Sequence, residues 1–303
     1  MSLQVNGLDT VQIYSKPQIN TTFKANPAVT TNTLERTPTT NTLVKPTQNK
    51  TKKTLLTLGA IVLVGIGIFA AAKAGKAHQQ KKAIQEIEKK FADLQNDMPR
   101  VQKTFKEVFL REDLTEKEAL EMLSRYKEVE KLGITGKKEE YIEAVFKEAK
   151  NNYGFEALPS ELTIVNEPIM GDKRILGYTD PLGDIKIRSS IKHNEIIDII
   201  HHEFRHVKQR KYAYILSPEK YIEASQPKNM NIPAEIFDIA LGRIPNVSKI
   251  PEEHADFAKK SLESILSYTS VKNSVTGYLT QWSEQDARFA GESIAKLFGL
   301  MTK

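Results

Sequence analysis

The chain has 303 residues, a formal net charge of +6 and no cysteine. That length suits one sizeable domain with accessory segments, and the missing thiol excludes disulfides, cysteine nucleophiles and cysteine-ligated zinc. Residues 1–82 hold eleven Lys/Arg against Asp9 and Glu35, a balance of +9, which leaves −3 for residues 83–303. The folded body therefore carries no basic stripe, and a nucleic-acid partner is not expected.

Residues 1–52 are rich in Thr, Asn and Pro, with few aromatics and no sustained periodicity. Such a segment buries too little apolar surface to offset its ordering entropy, and disorder is the expectation. Thr54–Ala72 is a run of 19 residues without a charge. As a helix it would span about 30 Å, the thickness of a bilayer's hydrocarbon core. It begins too far into the chain for an ordinary signal sequence. The sequence thus predicts one transmembrane helix over 53–76, a lipid-bilayer partner and a single-pass membrane location. Lysines flank both ends, so the side holding the remaining chain stays open.

From Ile84 to Val108, apolar residues recur at spacings of three and four: Ile84, Ile87, Phe91, Leu94, Met98, Val101, Phe105 and Val108. This stripe predicts an amphipathic helical stalk over 77–112. One reading is a coiled coil that makes a homo-oligomer through residues 84–108. The other is a helix packed on its own domain, which Pro99 favours by kinking or splitting the stripe.

A domain is expected over 113–303, with helices in 113–154 and a core in 158–303. Thr115 with Glu118 forms a capping box for a helix carrying Leu120, Leu123, Tyr126 and Val129, with Gly133 as its stop. A further helix carries Tyr141, Ile142, Val145 and Phe146 and stops near Gly154. Leu162–Val165, Ile175–Tyr178 and Ile185–Arg188 read as strands, the last two joined by the turn residues Asp180–Asp184. Beyond Pro218 the pattern is helical again. The class expected is α+β with a small antiparallel sheet.

Between the strands and the later helices lies His202-Glu203-Phe204-Arg205-His206, an HExxH motif in an isoleucine-rich, helix-compatible run. An offset of four puts both imidazoles on one helix face, one turn apart, close enough to share a metal ion. Glu203 can then reach a metal-bound water as general base. His201 points about 100° away from His202 and reads as structural. A catalytic zinc needs a third protein ligand and an open position. Two acidic helix starts offer it. Glu284 shares its face with the small residues Ala287, Gly291 and Ala295, which would let a neighbouring helix approach closely. Glu252 has Asp256 four residues on. Glu284 is favoured, and Glu252 is the alternative.

HEFRH on this helix, preceded by a strand pair and followed by a glutamate-bearing helix, resembles the zincin metallopeptidases of the two-His-one-Glu (gluzincin) type. The resemblance covers roughly 158–303. The Glu252-to-Asp256 spacing is similar to one subgroup's third-ligand motif, and the surroundings of Glu284 to another's. It implies a zincin-like domain in which His202, His206 and Glu284 hold Zn²⁺ and Glu203 acts as base on a peptide or protein substrate. A second oxyanion donor would be Tyr278 or His254, and Ile185–Arg188 would be the sheet edge that receives an extended peptide. The function expected is a membrane-anchored zinc metalloendopeptidase. The alternative is a catalytically idle, membrane-tethered binding or scaffold protein.

Overall fold

The computed structural model describes residues 76–226, 231–270 and 273–300. Of the chain's two compact units, the larger holds the described residues from Gln79 onward. The segments expected to be disordered (1–52) and to span a membrane (53–76) lie outside the described residues, apart from residue 76. Among the described residues, no helix is long and apolar enough to cross a membrane. The single transmembrane helix and the single-pass location therefore have no support and are withdrawn.

The first described helix, α1, runs through residue 96, and α2 follows as Met98–Phe109, with Pro99 in its first turn. A proline tolerates that position because the amide it lacks has no intrahelical partner there. The two helices do not form a free stalk. Ile87, Phe91, Leu94, Met98, Val101, Phe105 and Val108 all lie in the main core, with Phe91 stacked on Phe298 at 5.4 Å. Burying each such side chain is worth about 1.5–3 kcal/mol, so the stripe is an internal packing surface.

Helix α3, Glu116–Thr135, starts on the expected capping box: Thr115 accepts from the Glu118 amide, and Glu118 accepts from the Thr115 amide. It runs through Gly133 and is capped at Gly136 instead. Helix α4, Lys138–Asn152, packs beside it.

Three short strands follow: β1 (Leu162–Val165), β2 (Gly177–Thr179) and β3 (Ile185–Arg188). Their order is β1-β3-β2, with β3 parallel to β1 and antiparallel to β2. The sheet is mixed rather than antiparallel. A tight turn, in which Asp180 accepts from the Leu182 and Asp184 amides, folds β3 back on β2. The longer connection 166–176 leaves room between β1 and β2, and β3 fills it. The expected edge strand Ile185–Arg188 is thus central, and β1 and β2 form the edges. Ile185 and Ile187 alternate inward from β3 into the core.

A 3₁₀ turn (His193–Glu195) leads into α5, Ile196–Leu216, the central helix. It continues past Arg210 and Lys211, basic residues that would suit a helix C-terminus. Ala213 and Tyr214 anchor its last turn in a second apolar cluster with Tyr221, Phe237, Leu241 and Leu262. Tertiary burial outweighs the local stop signal. After it come α6 (Pro218–Ser225), α7 (Ala234–Leu241), a 3₁₀ turn (Glu252–His254), α8 (Ala255–Leu266), α9 (Val275–Thr280) and α10 (Trp282–Leu297).

Helix α10 packs along α5 through the predicted small-residue stripe, with Ala287, Gly291 and Ala295 all buried. A methyl group at Gly291 would collide with the carbonyl and carboxylate of Asp198 on α5. That close approach brings the start of α10 against the middle of α5.

Candidate metal centre

Helix α5 presents His202 and His206 one turn apart, ring centroids 4.8 Å apart and nearly perpendicular. Their Nε2 atoms are 3.1 Å apart. Glu284, in the first turn of α10, closes the triangle, Oε1 lying 3.4 Å from His206 Nε2 and Oε2 3.6 Å from His202 Nε2. These three side chains are the group that could hold a metal ion among the described residues. A tetrahedral zinc with bonds of about 2.0–2.2 Å sets its ligand atoms about 3.3–3.6 Å apart. The Nε2–Nε2 separation falls just short of such an edge, and the two Glu284 distances match it but run from different carboxylate oxygens. Glu284 is buried, and its Oε2 has no hydrogen-bond donor, an orphan that a cation would satisfy. Two imidazole nitrogens and one carboxylate are a donor set that suits zinc.

Charge accounts for the electrostatics. Burial pushes the Glu284 carboxyl up, but the neighbouring His206 and His202 outweigh it and hold it well below the usual carboxylate range. His206 shows the converse. Burial lowers its pKa, yet the Glu284 and Glu203 carboxylates raise it above the ordinary value.

Glu203 is held from the sheet side. The Thr179 hydroxyl donates to Glu203 Oε2 at 2.7 Å. A Cβ at Gly177 would meet Glu203 Oε1 at 2.6 Å and the Ile199 side chain at 2.7 Å. Gly177 and Thr179, two residues apart on one face of β2, thus make room for the carboxylate and bind it. Glu203 has only 5 % of its surface exposed.

A layer beneath His206 was not anticipated from sequence. The Gln209 amide nitrogen donates to the Ser283 carbonyl at 3.0 Å and to Asp286 Oδ2 at 2.8 Å. Its oxygen then faces His206 Nδ1 at 2.8 Å. Asp286 also receives a two-pronged pair from Arg205, Nε to Oδ2 and Nη2 to Oδ1, both 2.7 Å. Arg205 caps the end of α2 by donating to the Val108 carbonyl at 2.7 Å, and Lys208 does the same to Phe109 at 2.6 Å. No local signal marked them: Arg205 and Gln209 stand in the largely polar stretch 202–211, where a buried polar side chain looks like its exposed neighbours.

The remaining candidates divide. Tyr278 belongs to the site: burial first, then the Glu284 carboxylate, raise its phenol above the ordinary range. Tyr268 packs edge-on against it, its own phenol pushed up to about 12 by burial and then by Glu284. His254 lies elsewhere, against Tyr212 and near Lys208. Glu252 is exposed in the turn before α8, outside the cluster, and Asp256 pairs with Lys260 at 2.8 Å. His201 is fully buried among Phe109, Tyr126 and Tyr153, its Nε2 2.9 Å from the Tyr126 hydroxyl, and burial pushes its pKa down to about 3.

Comparison with protein-family models, with curated proteins and with solved structures found no match.

Proposed function

We propose that the chain is a zinc-dependent endopeptidase of the zincin type, with His202, His206 and Glu284 as metal ligands and Glu203 as general base. The observation carrying this reading is the close cluster of two imidazole nitrogens and a buried carboxylate, with a second carboxylate, anchored by Thr179, next to His202 in the chain. When bound, zinc supplies a Lewis acid that brings the pKa of a water toward neutrality. Glu203 takes a proton from that water and passes it to the leaving amine. The Thr179 hydroxyl and the bare Cα of Gly177 fix the carboxylate from which it does so. Tyr278, whose buried phenol feels the Glu284 carboxylate, would be the second donor to the developing oxyanion. An extended peptide would add along β2, the edge next to Glu203, rather than along β3.

The test uses the purified full chain. Elemental analysis is expected to give one zinc per chain. Cleavage of an unfolded protein is expected to stop on chelation and with Glu203→Gln, while the far-ultraviolet spectrum is retained. A chain that purifies without zinc and binds none on titration would overturn the reading. One that binds zinc but cleaves nothing across a broad peptide library would favour the second reading, an idle binding or scaffold domain. The burial of Glu203 and Glu284 is the observation that speaks for it.

A further inference from the structure

The hydrogen bonds beneath His206 run in one direction. The Gln209 amide cannot be turned over, because its nitrogen lies against two groups that only accept, the Ser283 carbonyl and the Asp286 carboxylate. With the amide fixed, its oxygen can only accept from His206 Nδ1 at 2.8 Å. His206 is therefore protonated on Nδ1, and the Nε2 lone pair is left facing His202 and Glu284. Asp286 is itself immobilised by the two-pronged Arg205 pair, and Arg205 by the Val108 carbonyl at the end of α2.

We propose that Gln209, Asp286 and Arg205 are positioning residues that fix the Nδ1–H form and ring orientation of His206, so that the upstream helix α2 takes part in presetting the metal centre. The proposal rests on the metal-site reading for its consequence, but the tautomer itself is a property of the metal-free chain. A merely structural role for the three residues would contribute to stability without selecting which ring nitrogen carries the proton. The relay joins four residues through charge-assisted and neutral bonds, and its loss frees the ring to turn or to place its proton on Nε2. Supporting partners of this kind typically change metal affinity by about 10–100-fold.

The experiment is long-range ¹H–¹⁵N correlation on the metal-free full chain in alkaline solution, where imidazoles are neutral, together with zinc affinity by chelator competition. In the wild type, His206 is expected as the Nδ1–H tautomer. Gln209→Ala is expected to give a mixture of tautomers and about 10–100-fold weaker zinc binding, with the thermal transition retained. A wild-type His206 protonated on Nε2, or a Gln209→Ala chain that keeps the Nδ1–H form, would overturn the proposal. Absence of zinc binding by the wild type would overturn the metal reading instead, and the tautomer would still decide the relay.

Discussion

Helices α8 and α10 begin alike and end up in different chemistry. Each starts near an acidic residue, Glu252 before α8 and Glu284 in α10, and each carries an aspartate close behind. The helix macrodipole favours acids at both starts, so the acids alone do not distinguish them. What differs is the face beneath. From Glu284, α10 continues through Ala287, Gly291 and Ala295, and the bare Cα of Gly291 lets α5 approach until Glu284 meets both histidines. From Glu252, the chain carries Asp256 out to solvent, where it pairs with Lys260 one turn on. A glutamate becomes a candidate ligand because its helix can come close enough, not because of its position in a motif.

The largest expected effect would break or keep this contrast directly. Glu284→Ala should abolish stoichiometric zinc binding, a loss beyond about 100-fold, whereas Glu252→Ala should leave it unchanged. Zinc retained by the first variant and lost by the second would reverse the assignment.

The trailing aspartates give the next comparison. Asp286→Ala strands the buried Arg205 guanidinium and should cost about 3–5 kcal/mol in denaturant unfolding. Asp256→Ala removes an exposed pair and should cost less than about 1 kcal/mol. Equal costs would mean that the Arg205 charge finds another partner.

Gly291→Ala tests the close approach itself. The added methyl should cost about 1–3 kcal/mol by overpacking and weaken zinc binding as α10 backs away from α5. Ala255→Gly at the start of α8 should weaken no metal binding. A Gly291→Ala chain with wild-type zinc affinity would uncouple helix spacing from the site.

The smallest effect concerns a third acidic helix start, that of α3, where the acid serves as a cap. Glu118 is held down to about 2 by the Thr115 amide first, then by the Thr115 hydroxyl and Arg111. Its folded pKa lies below its unfolded one. Its stabilisation is therefore fully present above about pH 4.3 and should fade as the pH falls toward 2. Glu118→Gln should unfold at lower denaturant than wild type at neutral pH, and the gap should close in acid. A gap that persists in acid would mean that the cap acts through packing rather than charge.

These contrasts also mark what was legible in the sequence. The Thr115–Glu118 box, the strands Leu162–Val165 and Ile185–Arg188, and the His202–His206 face all rest on spacings of four residues or fewer. Periodicity and propensity encode such features locally. The central place of β3 was hidden, because pairing order depends on where the 166–176 connection travels. So was the Gln209–Asp286 bond, between residues 77 apart in sequence. The small-residue stripe was the one local trace of that long-range packing, and it pointed to Glu284. The apolar run Thr54–Ala72 lies outside the described residues. Composition alone suggested a membrane span, and no described helix supports one.

The cations that cap α2 bear on where this protein can be cut. A fragment started at 113, the boundary expected from the sequence, would remove the carbonyls of Val108 and Phe109 from beneath Arg205 and Lys208. Arg205 would keep only its Asp286 pair, the buried Lys208 amine would lose its Phe109 acceptor, and Phe298 would lose its stacking partner Phe91. The smallest autonomous piece therefore begins ahead of α1's apolar stripe, and expression of a shorter one should yield insoluble chain.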